Sequence, residues 1–216
     1  MNKKSKYFLL SATIILVGVI YVLKNSLSKF KRQVIFQSNT EVDKWRDYNE
    51  LSPQTASIVA DYWNRGLGWS VTEQQVLDPS FQNDYAWSAA FISWVMKVSG
   101  AEDNFPYSPT HAYYVIETTN NRFNNEKAKF KAYSVDEVKP KPSDIVCRRR
   151  GNSNATYENV SPYDTLHCDI VTDVYKDRVE AVGGNVSNKV KKVDISLNGD
   201  GYINEGGYFT IIKTDL

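Results

Sequence analysis

A chain of 216 residues, with 26 Lys and Arg against 25 Asp and Glu and a net charge of +1, has the length for one folded domain plus an appendage. Its balanced charge gives no electrostatic footprint for a nucleic acid, which is not expected as a partner. Tyr 14, Phe 9 and Trp 5 exclude disorder and fit a packed domain with a groove.

Residues 1–6 are basic, carrying Lys3, Lys4 and Lys6, and residues 7–23 (YFLLSATIILVGVIYVL) are uncharged and apolar. Seventeen such residues stand at the short end of a membrane span, and they exceed most signal-peptide apolar regions. No small-residue cleavage site follows, so the stretch is read as one uncleaved transmembrane anchor, with a cleaved signal peptide as the alternative. Lys24, Lys29, Lys31 and Arg32 follow the span, so charge asymmetry barely chooses its orientation. Residues 24–44 are polar and read as a juxtamembrane linker, and 45–216 as the globular domain.

Ser52-Pro53 opens a helix that Gly66 or Gly68 stops, and 69–83 reads as a loop with a short helical turn near 72–77. Residues 84–100 form the central element. Apolar positions 87, 91, 94, 95 and 98 share a stripe, Ala89, Ala90, Ile92 and Met96 fill most of the rest, and Gly100 ends it. A helix apolar nearly all round is a core helix. Ser88 falls in its first turn, where unpaired amides point and the helix dipole is positive. A serine there either caps the helix or is a nucleophile assisted as it gains charge. A third helix over 110–123 carries His111, with Tyr114, Val115 and Thr118 near one face.

The second half changes period. Residues 129–135, 144–148, 166–174, 178–182, 191–195 and 207–213 read as strands. Helices followed by strands predict an α+β domain with the N-terminal helices packed on an antiparallel sheet. Arg148, Arg149 and Arg150 end one strand, either as an anion site or as a solvated strand end. Asp194, Ser196, Asn198, Gly199 and Glu205 echo a calcium loop, but Gly201 stands where an apolar residue belongs, and a hairpin at Asn198-Gly199 explains them better. Cys147 and Cys168 lie on two strands that plausibly pair, as a disulfide or as a buried reduced pair. There is no phosphate loop, dinucleotide fingerprint or metal-spaced His/Cys cluster, so no cofactor or metal is expected.

The chain has two histidines, His111 and His167, so a histidine base is one of them. His167 opens a strand, and Asn185 follows the strand end Val182-Gly183-Gly184. A nucleophile at a helix start, a histidine at a strand start and an amide on the next strand make a Cys-His-Asn type of triad.

WSAAFISWVMKVSG resembles the W-C-A-x-F-V-x-W-V-x-x-x-G nucleophile helix of the CHAP/NlpC papain-like amidohydrolase-peptidase superfamily, whose members cut peptidoglycan peptides. PSDIVCR resembles its P-G-D-I-V strand, HCDIV its G-H-V-G-I-V strand, and GGNVSNKV its G-G-N-x-x-N-x-V segment. The whole set, with FPYSPTHAYYV, is similar to an uncharacterised bacterial domain family that carries Ser at the nucleophile position, over roughly residues 50–213. The resemblance implies a papain-like domain in which Ser88 is the nucleophile, His167 the general base and Asn185 its orienter. His111 is typical of the uncharacterised family; it, Trp87 and Asp84 are additional candidates. Two departures matter. Ser88 replaces a cysteine, whose thiol can ionise beside a histidine where a hydroxyl cannot. Gly183 stands where some relatives carry an acid.

Three functions follow. One is a membrane-anchored hydrolase of amide or ester bonds in a cell-envelope polymer such as peptidoglycan. Another is an inactive module that binds envelope peptide or glycan, and the third a structural envelope protein. The apolar stretch places the chain as a single-pass protein of the bacterial inner (cytoplasmic) membrane, its domain on the periplasmic or extracellular side.

Overall fold

A computed structural model describes residues 27–216. Helix α1 (Lys29–Lys44) starts where the Ser28 hydroxyl accepts the Lys31 amide at 3.2 Å. Its buried stripe is Phe30, Val34, Ser38 and Glu41. Two of those four are polar, so the segment that reads as a linker is a helix folded onto the core. The fully buried Glu41 is satisfied by the Tyr62 hydroxyl, which donates to it, and by the Lys44 ammonium at 2.6 Å. Trp45 Nε1 donates to the same Tyr62 oxygen at 3.0 Å.

Helix α2 (Pro53–Leu67) begins with Pro in its first turn and ends at Gly68, whose φ of +75° suits glycine. Two short helices follow, α3 (Glu73–Val76) and α4 (Pro79–Asp84), and then α5 (Ser88–Ser99), ended by Gly100 at φ +93°. The central helix is therefore shorter than the 84–100 reading. Tyr85, with φ −128° and ψ 74°, breaks the chain between α4 and α5. All residues of α5 except Lys97 and Val98 are buried. Helix α6 (His111–Asn124) follows a 3₁₀ turn at Glu102–Asn104.

The strands β1 (Phe130–Ser134), β2 (Ile145–Arg149), β3 (Leu166–Val174), β4 (Arg178–Gly183), β5 (Lys191–Ser196) and β6 (Tyr208–Thr214) follow in order. They form a six-stranded sheet ordered β1-β6-β2-β3-β4-β5, with every pairing antiparallel. Strand alternation sorts the sheet residues into two cores. Ile145, Ile170, Val182 and Ile212 pack with Phe91, Ile92 and Val95 of α5. Val146, Val171, Val179, Ala181, Ile195 and Ile211 form a second cluster on the other face.

The α+β class with an antiparallel sheet stands. The transmembrane helix does not. Residues 7–23, read as an anchor or a cleaved signal, lie outside the described residues. Among the described residues no helix is long and apolar enough to cross a membrane. The single-span anchor, the membrane as a partner and the inner-membrane localisation are corrected accordingly. At the calcium-like loop, Asn198 and Tyr202 close a turn beside the Leu197–Ile203 bridge. Asp194 there pairs with Arg178, and Glu205 accepts the Ser196 amide. Among the described residues no group of three or more His, Cys, Asp or Glu is arranged to hold a metal ion.

Candidate functional site

Ser88 is the first residue of α5, and its hydroxyl does not cap the helix. It lies 2.7 Å from Nε2 of His111, the first residue of α6. The α5 amides of Ser88, Ala89 and Ala90 precede the first intrahelical bond, from Phe91 N to Trp87 O at 2.9 Å. Donors of that kind at a helix start favour an oxyanion. On its other side the His111 ring meets the Tyr114 hydroxyl at Nδ1, one turn further along α6. For Ser88 to donate to Nε2, that nitrogen must be bare, so Nδ1 carries the proton and donates to Tyr114.

The second histidine forms its own pair. His167, on β3, places Nε2 3.1 Å from Oδ1 of Asp169, two residues along the same strand. The Tyr208 hydroxyl donates to the other Asp169 oxygen at 3.4 Å. The protonated nitrogen facing Asp169 leaves His167 Nδ1 as a bare acceptor, buried and without a partner among the described residues. The two imidazoles meet edge to face at 5.5 Å between ring centres. Ser88, His111, His167 and Asp169 are each at most 6 % exposed, so the cluster works at low effective dielectric.

Electrostatics separate the members. Burial pushes the His111 ring well below the usual imidazole value, reinforced by His167 and by the positive charge of Arg150. His111 is thus a neutral base at neutral pH. Burial raises the Tyr114 phenol well above its usual value, and the Asp169 charge adds to this; Tyr208 moves the same way for the same two reasons. Both tyrosines stay protonated.

Gly183 makes the His167–Asp169 pair possible. A Cβ there would lie 2.0 Å from Asp169 Oδ1, 2.8 Å from Val186 Cγ2 and 3.1 Å from His167 Nε2. At Gly184 a Cβ would run into the Phe91 side chain, 2.6 Å from its Cβ and 2.7 Å from the ring Cγ. The two glycines let the end of β4 close over the site and the start of α5.

The structure brings together Ser88, His111 and His167, and it does not bring Asn185 to His167. Asn185 is half-buried in a turn beyond β4 with φ +56°, and among the described residues no hydrogen bond joins it to the imidazole. Asp169 orients His167 instead. Trp87 lies in the core beneath the site, stacked on Trp45 at 4.9 Å and donating through Nε1 to Glu50 at 2.8 Å. Asp84 is exposed at the end of α4 and takes no part in the cluster. Cys147 and Cys168 are register partners on β2 and β3 and are joined by a disulfide, one residue from His167. Sequence reasoning missed Asp169, Tyr114 and Tyr208. His-x-Asp on a strand and His-x-x-Tyr on a helix each put two side chains on one face, and those spacings are the signals for the first two. Tyr208 comes from a distant strand and has no such signal.

These features define an α+β domain with a buried serine–histidine pair beside a histidine–aspartate pair. The chain belongs to the family described as "Uncharacterized protein conserved in bacteria (DUF2272)", whose model matches residues 53–211. No curated protein and no solved structure matches it significantly.

Proposed function

We propose that the domain is a hydrolase of amide or ester bonds in a cell-envelope polymer such as peptidoglycan, with Ser88 as nucleophile. The observation that carries this is the buried Ser88 Oγ–His111 Nε2 hydrogen bond at the start of the central helix. In the proposed step Ser88 Oγ bonds to the carbonyl carbon while its proton passes to His111 Nε2. The carbonyl oxygen gains negative charge against the first α5 amides. The carbon–nitrogen or carbon–oxygen bond then breaks, the leaving group takes the proton from His111, and water releases the acyl group from Ser88. His111 thereby takes the base role that the resemblance gives to His167. His167 and Asp169 form a second hydrogen-bonded pair alongside it.

The likeness to the papain-like superfamily supports the envelope substrate, and so does the Cys147–Cys168 disulfide, since disulfides persist where thiols are not kept reduced. The Asp169 carboxylate fills the space a side chain at position 183 would need, so the acid that some relatives carry there comes here from the neighbouring strand.

One observation favours a second reading. The partner of His111 Nδ1 is a neutral tyrosine, which supports an imidazolium less than a carboxylate does. On that reading the pocket binds envelope peptide without cleaving it. Incubating wild-type, Ser88→Ala and Ser88→Cys protein with purified peptidoglycan, and identifying released fragments by mass, separates the two. Fragments from wild type that vanish in Ser88→Ala support the serine hydrolase. Silence from wild type with release by Ser88→Cys refutes it in favour of the binding module.

A further inference from the structure

The arginine run at the end of β2 is not accounted for by the chemistry above. Arg148 is the register partner of His167 on β3 and of Tyr208 on β6, so its side chain shares their face of the sheet. Arg150 stands two residues on. Its amide donates to Thr165 O at 2.9 Å, which continues the β2–β3 pairing and returns Arg150 to the same face. Arg149 alternates to the other face. The Arg148 guanidinium carbon lies 5.9 Å from the Tyr208 ring centre, and its buried Nε has no hydrogen-bond partner among the described residues.

A guanidinium drawn partly out of water normally meets an acid. The local carboxylates are already engaged: Asp169 faces His167 at one oxygen and Tyr208 at the other, and Glu205, whose charge also reaches Tyr208, accepts the Ser196 amide. Among the described residues neither Arg148 nor Arg150 forms an ion pair, although acids pair with Arg46, Arg122 and Arg178 elsewhere. Two guanidiniums on the histidine face, one with an orphaned buried N–H, match a planar bidentate anion.

We propose that Arg148 and Arg150 form a carboxylate-binding subsite, so that the ligand of this site is an acyl compound with a free carboxylate, such as a peptide with an unblocked C-terminus. The inference rests on the hydrolase reading only in calling that ligand a substrate; the binding itself does not require turnover. Arg150 acts on His111 electrostatically. A bound carboxylate neutralises that charge, so filling the subsite raises the proton affinity of His111.

The test uses full-length Ser88→Ala protein, which cannot form an acyl-enzyme, and follows the His111 and His167 ring resonances by NMR. N-acetylglycine is the carboxylate probe, its neutral amide the matched control, and inorganic phosphate the competing anion. N-acetylglycine is expected to bind saturably and to shift the His111 titration midpoint upward, while the amide does neither. Arg148→Gln and Arg150→Gln should each weaken the carboxylate about ten-fold or more, as expected for loss of a charged hydrogen bond. Arg149→Gln should leave it unchanged, and Arg148→Lys, which keeps the charge, should recover part of the loss. Amide-proton spectra of each variant confirm that it is folded. Equal responses to acid and amide, no saturable binding, an Arg149→Gln effect as large as the others, or tighter binding of phosphate than of carboxylate would each overturn the proposal. Carboxylate binding in Ser88→Ala together with a silent peptidoglycan digest would sink the hydrolase reading and leave the subsite standing.

Discussion

Adding one methyl group at Gly183 tests the architecture of the site directly. The Cβ of Gly183→Ala would fall 2.0 Å from Asp169 Oδ1, whereas ordinary contact begins at 3.4 Å, so the carboxylate oxygen must retreat by about 1.4 Å. Backbone strain does not enter, because Gly183 is not among the residues with positive φ. Retreat breaks the 3.1 Å contact with His167 Nε2 and leaves a buried carboxylate and a buried imidazole short of a partner. Overpacking costs about 1–3 kcal/mol, and loosening a buried charged hydrogen bond costs a similar amount. With partial relaxation the expected loss is about 2–4 kcal/mol of folding stability. Urea unfolding at pH 7 measures it, and the His167 Nε2 proton resonance reports the contact. Gly199→Ala is the control, since nothing lies within 4 Å of a Cβ there. A Gly183→Ala protein as stable as that control, with an unmoved His167 resonance, would refute the account of how β4 closes over the pair.

Stability should also fall on mild acidification because His111 is buried and its proton affinity is depressed. Below the unfolded imidazole value of about 6.5 the unfolded chain takes up a proton that the folded chain refuses. The stability present above that pH is therefore lost as pH falls from about 6.5 toward the lower folded value, and His111→Gln should flatten the slope of unfolding free energy against pH in that window; identical slopes would contradict the assignment. Removing both cysteines by Cys147→Ala with Cys168→Ala opens a loop with a sequence separation of 21. Chain entropy puts the loss at about 3 kcal/mol, read from the urea midpoint of the double variant against oxidised wild type.

The strand pattern of the second half was legible because period two and turn residues mark each strand, and β3 (Leu166–Val174) coincides with the stretch read from sequence. The central helix was legible from its apolar stripe, but its start was not. Residues 79–84 have helical character of their own, and only the tertiary path separates them from Ser88. Helix α1 was hidden because Ser38 and Glu41 occupy its buried stripe, where a hydrophobic pattern shows gaps. Glu41 is tolerated there only through Tyr62 and Lys44, one of them from another helix. Both histidines and the serine were visible as candidates. Which imidazole meets Ser88 was not, because that depends on how the start of α6 packs against the start of α5, and neither segment encodes the distance. The motif points to Asn185 and carries no sign of Asp169. The register of β3 against β4 decides otherwise, and Gly183 leaves the room.

On the proposed reading, attack by Ser88 would leave a proton on His111, and burial, His167 and the Arg150 charge all oppose that proton. Tyr114 fixes the ring without supplying a counter-charge. Among the described residues the carboxylate of the cluster, Asp169, is turned to His167 and Tyr208. These influences would set the site electrostatically against the proposed first step. On the proposed reading an anionic ligand changes this, because a carboxylate on Arg148 and Arg150 cancels one of the opposing influences and brings negative charge to the histidine face. Binding and competence of the base would then be coupled, with the same guanidiniums that recognise the ligand keeping Ser88 unreactive in its absence. The coupling also separates the two readings of the pocket. A hydrolase built this way should lose in KM but not in kcat on Arg150→Gln at saturating carboxylate substrate, because the charge opposing the His111 proton is gone, whereas a binding module loses affinity and turns nothing over.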